Sequence, residues 1–173
     1  MVCTAVNILH SKNTRHLQGS KMDHSFSKLY DVIKTLIAPD GCPWDSIQTP
    51  QSMKKYLVEE SFEALEAINE GDAEHMKEEL GDVILNVVEI AALCEKQGLF
   101  SVEDIVNSAS EKMIRRHPHV FQKKQLTMDE LHTQWDKIKK DEGKTKKLTK
   151  PEKFAKMQDL LNGLKSEYEE KKD

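Results

Sequence analysis

Two clusters of acidic residues, close together in the sequence, hold the side chains best suited to chemistry. They are Glu59, Glu60 and Glu63, followed by Glu78, Glu79 and Asp82. Both clusters lie in segments whose apolar residues recur every three or four positions, which is the period of an α-helix. In the first segment, Glu60 falls in the middle of the apolar face and Glu63 at its edge. A carboxylate pointing into an apolar face costs several kcal/mol unless something compensates its charge.

The second segment carries a polar row beside an apolar stripe. The polar row is Glu79, Asp82, Asn86 and Glu89; the stripe, expected to face inward, is Met76, Leu80, Val83, Ile84, Val87, Ala91 and Cys94. If the two helices pack side by side, four carboxylates converge: Glu60, Glu63, Glu79 and Asp82. Because such carboxylates repel one another, the arrangement calls for a cation, and oxygen ligands favour Mg²⁺, Mn²⁺ or Ca²⁺. Magnesium is the expected ion.

Two roles that need no metal stay open for these acids. Most helical glutamates face water, and this is the state we expect for Glu59, Glu66, Glu78 and Glu89. The apolar surroundings of Glu60 argue against that state for this residue, whereas Glu63, Glu79 and Asp82 are intermediate cases. The second role is a buried salt bridge to a lysine or arginine.

A basic cluster ends a later helical segment at Lys112, Arg115, Arg116 and His117. Cations at a helix C-terminus interact favourably with the helix dipole. Four cations in six residues also suit phosphate oxygens, which arginine binds in bidentate fashion. The sequence supports phosphate contact and helix capping about equally.

Aromatic and histidine residues add weaker signals. Trp44 and Trp135 could stack on a nucleobase, although each is more often a packing anchor. His117 and His119 flank Pro118, a pattern that suits a polar turn better than a zinc ligand pair.

Amphipathic patterns and turn residues divide the chain into helices. The first helix spans the apolar repeat from Phe26 to Ile37 and ends at Pro39. Thr49-Pro50 supplies an N-cap and a first-turn proline for the Glu60 helix, and Gly71-Asp72 separates the two acidic helices. A fourth helix is predicted from about Val102 to Arg116, with Ile105, Val106, Ala109, Met113 and Ile114 inward, and a fifth from Leu126 to about Lys140. No strand-type alternation is evident, so the predicted fold class is all-α.

Composition bounds the kind of protein. A chain of 173 residues with 38% hydrophobic content can form one domain. Its formal charge of -4 gives no reason to expect binding to nucleic acid. Three widely spaced cysteines suit a reducing compartment, and no apolar run approaches the length of a membrane span. We therefore expect a cytoplasmic protein without a membrane or nucleic-acid partner.

The helices also predict an oligomer. The Glu60 helix has apolar residues on its other side, at Val58, Phe62 and Leu65, and the next helix has Leu85 and Ala92 away from its main stripe. Helices that are apolar on two sides are sandwiched between neighbours. Four or five helices offer few neighbours, so a homodimer or larger homo-oligomer is expected.

Five segments, in this order, resemble the MazG family of nucleoside triphosphate pyrophosphohydrolases. They are Gly41-Cys42-Pro43-Trp44-Asp45, Gln48-Thr49, Glu59-Glu60-Ser61-Phe62-Glu63, Glu78-Glu79-Leu80-Gly81-Asp82 and Arg115-Arg116-His117-Pro118-His119-Val120-Phe121. The resemblance covers roughly residues 26 to 140. The combination of the two acidic patterns with the arginine-histidine segment is specific.

The resemblance implies an all-α, four-helix, metal-dependent fold that cleaves nucleoside triphosphates between the α and β phosphates. It places Mg²⁺ on Glu60, Glu63, Glu79 and Asp82, which would also be the catalytic residues. It places nucleotide contacts on Lys112, Arg116 and Trp135. Gly81 suits close backbone approach near the metal, and tight helix packing accounts for it equally well.

Two features depart from the family pattern. Large MazG proteins carry two copies of the domain, whereas this chain shows one, which is most like the first copy. Glu89 stands where the family has an apolar residue, so it either adds charge to the site or faces solvent. The first departure keeps open an alternative function as a dimeric binding or regulatory module with weak turnover.

The predicted organisation has three parts. Residues 1–24 form a flexible N-terminal segment, residues 25–140 the helical domain, and residues 141–173 a linker with a C-terminal amphipathic helix. The apolar residues of that last helix are Phe154, Met157, Leu160, Leu161, Leu164 and Tyr168. The helix could dock on the domain or on a partner.

Overall fold

The structure is a computed structural model that describes residues 21–122, 126–142 and 148–169. Every regular element in these ranges is helical, which confirms the all-α fold class. The elements are α1 (Lys21–Leu36), a 3-10 turn (Asp45–Ile47), α2 (Pro50–Glu70), α3 (Ala73–Lys96), α4 (Val102–Arg116), α5 (Pro118–Phe121), α6 (Met128–Asp141) and α7 (Lys150–Glu169). The N-terminal segment up to residue 20 and the lysine-rich part of the predicted linker lie outside the described residues.

Caps predicted from the sequence define the hairpin of α2 and α3. The Thr49 hydroxyl accepts a hydrogen bond from the Ser52 backbone N–H at 3.1 Å, and the Ser52 hydroxyl accepts one from the Thr49 N–H at 2.9 Å. Gly71 ends α2 with φ of 75°, a left-handed conformation that favours glycine. The Asp72 carboxylate then caps α3 by accepting from two backbone N–H groups of its first turn.

Helix α3 is the centre of the molecule and packs against α1, α2 and α4. The core lies where these helices meet, and its buried residues are Ile33, Ile37, Met53, Val88, Ala91, Ala92, Leu93 and Val102. None of the helices described here combines the length and apolar character needed to cross a bilayer.

The predicted inward faces of α3 and α4 are partly wrong. Ala91 and Cys94 are buried, but Leu80, Ile84 and Val87 are 46%, 50% and 42% exposed. The reason is that the row containing Glu79, Asn86 and Glu89, all buried, faces the protein interior instead. On α4, Val102 is buried, whereas four of the five residues expected inward are exposed: Val106, Ala109, Met113 and Ile114.

The segment between α1 and α2, residues 37–49, folds back against the ends of α1 and α3. A Cβ at Gly41 would lie 2.3 Å from the Thr35 carbonyl oxygen, so only glycine fits this close approach. The Lys96 ammonium, at the end of α3, donates to the carbonyls of Ile37 at 2.9 Å and Ser46 at 3.3 Å. We call residues 41–48 the α1–α2 loop; these contacts hold it beside α3.

The last helices contact the rest of the described chain sparsely. Glu142, directly after α6, accepts hydrogen bonds from Arg115 and Arg116 at the end of α4. On α7, Leu164 is buried, but the other apolar residues whose side chains are described are exposed: Phe154, Met157, Leu160 and Leu161.

Candidate metal centre

The hairpin of α2 and α3 brings three of the four predicted acids to one point. Oxygen atoms of Glu60, Glu79 and Asp82 all lie within 4.8 Å of one another. Glu79 and Asp82 are three residues apart and therefore share a face of α3, and Glu60 meets them from α2. Neither helix alone could form this group, because the third oxygen has to come from across the helix pair.

The cluster is electrostatically unfavourable for its own charges. Burial raises the pKa of Glu60, and the neighbouring carboxylates, led by Glu63, raise it further. The pKa of Glu79 is raised by burial and by Glu63, against an opposing effect of His75. The His75 Nε2 atom lies 3.3 Å from the Glu79 Oε1 atom. The acids therefore gain from any added positive charge.

One buried oxygen shows where that charge would bind. The Oε2 atom of Glu79 is buried and has no hydrogen-bond partner in the part of the chain that the structure describes. Within the same residues, the three acids form no ion pair with a lysine or arginine, so a buried salt bridge does not account for them. Clustered carboxylate oxygens with an unpaired buried acceptor fit a hard divalent cation.

The remaining acids fall into two groups. Glu63 is exposed and outside the group of three, although its charge acts on both Glu60 and Glu79. Glu59, Glu66 and Glu78 are exposed, as expected. Glu89 is only 8% exposed, so the expectation that it faces solvent is wrong. Gly81 has open space around its Cβ position within the described chain, which supports neither close backbone approach nor tight packing there.

The predicted phosphate and base contacts lie around the junction of α4 and α6. The Arg116 guanidinium is bound to the Glu142 carboxylate, with Nη2 and Oε2 2.6 Å apart. Trp135 makes an edge-to-face contact with His117 at a centroid distance of 5.2 Å. Lys112 is partly buried on α4. The free protein thus holds Arg116 in an ion pair.

Three residues were not predicted to act at these sites. His75 could have been found from its position four residues before Glu79, a spacing that brings helical side chains together. Asn86 was placed in the polar row, but nothing in the sequence shows that its Oδ1 atom is buried without a partner. Glu142 follows the last turn of α6, and no local pattern links it to the arginines 26 and 27 residues earlier.

Comparison with known proteins gives a consistent result. Residues 48–121 match the family model described as the MazG nucleotide pyrophosphohydrolase domain. The chain is 44% identical over 122 residues to a nucleoside triphosphate pyrophosphohydrolase/pyrophosphatase MazG of Thermotoga maritima, covering 70% of this chain and 47% of the relative. It is 48% identical over 123 residues to the uncharacterized protein YabN of Bacillus subtilis, covering 70% of this chain and 25% of the relative.

A solved structure agrees with the sequence matches. The crystal structure of a mazG-related protein from Thermotoga maritima superposes with a TM-score of 0.59 at 25% identity, covering 66% of this chain and 98% of that one. The chain spans about a quarter of the length of the Bacillus subtilis relative and about half of the length of the Thermotoga maritima MazG. The matched family segment contains Glu60, Glu79 and Asp82, together with Lys112 and Arg116.

Proposed function

We propose that this chain, whose residues 48–121 match the MazG nucleotide pyrophosphohydrolase domain, is a metal-dependent hydrolase of nucleoside triphosphates. The bond cleaved is the anhydride between the α and β phosphates, and the products are a nucleoside monophosphate and pyrophosphate. The observation that carries the proposal is the meeting of Glu60, Glu79 and Asp82 around a buried, unpartnered carboxylate oxygen.

The three clustered acids would hold the cation, with Mg²⁺ expected and Mn²⁺ an acceptable substitute because both prefer oxygen ligands. Glu63, at the edge of the cluster, completes the set of four. When bound, the ion supplies neutralisation of triphosphate charge and activation of water. The protein's part is to fix the oxygen ligands on two helices before the substrate arrives, so that little reorganisation is needed.

The hydrolysis step needs a proton acceptor and a stabilised leaving group. Water attacks the α phosphorus, the bond to the bridging oxygen breaks, and pyrophosphate departs with the electron pair. A carboxylate of the cluster would orient the attacking water and accept its proton. Lys112 and Arg116 would bind phosphate oxygens, and Trp135 would add a further contact to the nucleotide.

Substrate binding at Arg116 has to compete with Glu142. The Glu142 carboxylate holds both Arg115 and Arg116, as a phosphate would. The proposed role of Arg116 therefore includes an exchange in which a phosphate group replaces Glu142. Because Glu142 competes with the substrate phosphate for the Arg116 guanidinium, it also raises the substrate concentration needed for half saturation.

A homodimer is part of the proposal. Exposed apolar rows run along α2, at Phe62, Leu65 and Ile68, and along α3, at Leu80, Ile84 and Val87. Rows of exposed apolar residues are characteristic of a protein interface. A second copy of the chain would cover the same rows on both subunits in a symmetric contact.

The deciding experiment measures the products. Purified protein is incubated with Mg²⁺ and a panel of ribo-, deoxyribo- and modified nucleoside triphosphates, and the products are separated by ion-exchange chromatography. Monophosphate with pyrophosphate, abolished by EDTA and by the Glu60→Gln variant, is the expected result. Diphosphate with orthophosphate would contradict cleavage at the α–β bond.

The alternative function predicts a different outcome of the same experiment. A dimeric binding or regulatory module would bind nucleotide or a protein partner without turning over any member of the panel. Replacing Glu60 and Glu63 by glutamine would then leave partner binding unchanged, whereas in the hydrolase it removes metal-dependent turnover.

A further inference from the structure

A second group of buried, unpartnered oxygens lies on the same face of α3 as the candidate metal centre. Asn86 and Glu89 are 6% and 8% exposed, and the Oδ1 atom of Asn86 and the Oε1 atom of Glu89 have no hydrogen-bond partner among the described residues. Three residues apart, they share one face of the helix. Buried polar atoms are nearly always hydrogen-bonded, so two open acceptors on one face indicate a missing donor.

The open atom of Asn86 is an acceptor. Its Nδ2 group donates to the Asp82 backbone carbonyl at 3.0 Å. A backbone carbonyl can only accept, so the amide orientation is fixed, and the oxygen is the atom left without a partner. Glu89, when ionised, is likewise only an acceptor. The missing group therefore has to present hydrogen-bond donors.

The α1–α2 loop brings a third acceptor and an aromatic surface to this place. Asp45 is close enough for its charge to act on Glu89, and Lys96 holds the adjoining Ser46 against the end of α3. Trp44 is 46% exposed, yet its indole is held by an edge-to-face contact with Tyr56 at 5.5 Å, and its carbonyl accepts from the Gln48 side chain. A fixed, half-exposed indole next to Asp45 in the chain is suited to stacking.

The spacing relates this group to the metal centre. Asn86 and Glu89 follow Asp82 by four and seven residues, so they lie about 6 Å and 10 Å further along the helix axis. A nucleotide whose phosphates bind at Asp82 would extend its base over the same order of distance. A second cation would use the oxygens as well, but it would leave the exposed indole without a role.

We propose that Asn86, Glu89 and Asp45, with Trp44, form a base-recognition site for a nucleobase edge made of adjacent N–H donors. This inference rests on the proposed function for the placement of the phosphates. Guanine presents such an edge, with its ring imino group beside its amino group. Adenine and cytosine present a ring acceptor next to the amino group, and hypoxanthine lacks the amino group, so neither arrangement satisfies all the oxygens.

The first test compares kcat/KM for GTP, ITP, ATP and UTP. For the unmodified protein, we expect kcat/KM for GTP to exceed that for ITP by about tenfold or more. ITP lacks the amino group, so it would leave a buried acceptor of the site without a hydrogen bond. Glu89→Gln replaces one acceptor oxygen by a donor and should reduce the GTP/ITP ratio to near one. Glu66→Gln is the matched control, since the same change is made on an exposed part of α2, and it should leave the ratio unaltered.

A binding measurement separates this inference from the proposed function. Calorimetric titration with GMP and IMP requires no hydrolysis, and GMP should bind about tenfold more tightly, with the preference lost in Glu89→Gln. If triphosphates are hydrolysed but the unmodified protein and Glu89→Gln rank the substrates by kcat/KM in the same order, the proposed base site is wrong and the proposed hydrolase activity stands. If no triphosphate is hydrolysed but GMP is still preferred, the hydrolase is wrong and the base site stands.

A third measurement tests whether a second cation occupies this place instead. Mn²⁺ bound per chain is counted by electron paramagnetic resonance without nucleotide. We expect Glu89→Gln to bind as many Mn²⁺ ions as the unmodified protein. The loss of one ion in this variant would overturn the base site in favour of a second cation site. Unchanged thermal unfolding of the metal-free variant would show that its effects on substrate choice are not a consequence of misfolding.

Discussion

At the scale of single residues, the carboxylates of the candidate metal centre lie close enough together to repel one another. Glu60 and Glu79 both have raised pKa values, because Glu79 is buried and Glu60 partly buried among other acids. A protein retains such an arrangement only where it gives a function or where a ligand offsets the cost. The sequence indicated this for Glu60, whose position within an apolar face could be calculated from helical period alone.

The cluster leads to a prediction for Glu79→Gln. Removing one negative charge should leave the melting temperature of the metal-free protein unchanged or raise it, because a repulsive, unpartnered oxygen is lost. The same change should abolish the increase caused by saturating Mg²⁺ or Mn²⁺, which for the unmodified protein is expected to be on the order of 5 °C. Thermal unfolding followed by circular dichroism with EDTA and with metal provides both numbers.

The control for this prediction is Glu78→Gln, the neighbouring exposed acid. It should preserve most of the metal-dependent increase. Glu63→Gln should have an intermediate effect, because Glu63 acts on the cluster by charge but lies outside the group of three. An equal loss in all three variants would mean that the metal responds to general negative charge and not to a defined set of ligands.

At the scale of the helices and loops, the sequence predicted where elements begin and end better than which side faces inward. Thr49, Pro50, Gly71 and Asp72 act locally, through backbone hydrogen bonds and dihedral angles; they set both ends of α2 and the start of α3. Which side of α3 is buried depends on the helices that pack against it. With apolar and polar rows side by side, periodicity could not show that the polar row containing Glu79 faces inward.

Two glycines in different surroundings test the importance of the α1–α2 loop. Gly41→Ala should reduce the free energy of unfolding by about 1–3 kcal/mol, because its Cβ would overlap the carbonyl oxygens of Thr35 and Leu36. Gly81→Ala has open space and lies in the interior of α3, so it should be neutral or stabilise by up to about 1 kcal/mol. Urea unfolding at equilibrium measures both changes. A cost for Gly81→Ala that matches Gly41→Ala would contradict the steric cause assigned to Gly41.

The ion pairs that join α4 to the residue after α6 predict a dependence on acid pH. Hydrogen bonds from Arg116 and Arg115 lower the pKa of Glu142 to about 2, from an ordinary value of 4.5. Since the folded pKa is depressed, the contribution to stability is complete above about pH 4.5 and is lost as the pH falls towards 2. Tryptophan fluorescence of a Trp44→Phe variant, which retains Trp135 beside His117, should report this loosening between those pH values.

Glu142→Gln is the matching variant for the ion pairs. In it, the acid transition of Trp135 fluorescence should disappear, because the group that titrates is gone. The variant should also lower KM for nucleoside triphosphates several-fold if Arg116 binds phosphate, since the competing carboxylate is absent. An unchanged KM together with a lost acid transition would confine Glu142 to a structural role.

At the scale of the whole molecule, the single chain leaves much apolar surface uncovered. The sequence predicted two apolar sides on α2 and on α3, and the structure shows exposed apolar residues along α2, α3 and α4. Four residues of α4 were wrongly predicted to face inward because their apolar row is not covered by the rest of the described chain. Periodicity identifies a surface that needs to be covered, but it does not distinguish burial within one chain from burial between two chains.

The proposed dimer is tested by placing a charge in the exposed row of α3. Ile84→Asp should convert the dimer to a monomer in sedimentation velocity experiments, because a carboxylate desolvated in an apolar interface costs several kcal/mol. Leu99→Asp is the control: Leu99 is also exposed, at 63%, but lies in the turn between α3 and α4. The control should remain dimeric. If the unmodified protein sediments as a monomer, the exposed rows need another partner. Suppose that Ile84→Asp becomes monomeric and loses pyrophosphate release while its circular dichroism is unchanged. Hydrolysis then requires the dimer, although the clustered acids all belong to the α2 and α3 helices of one subunit.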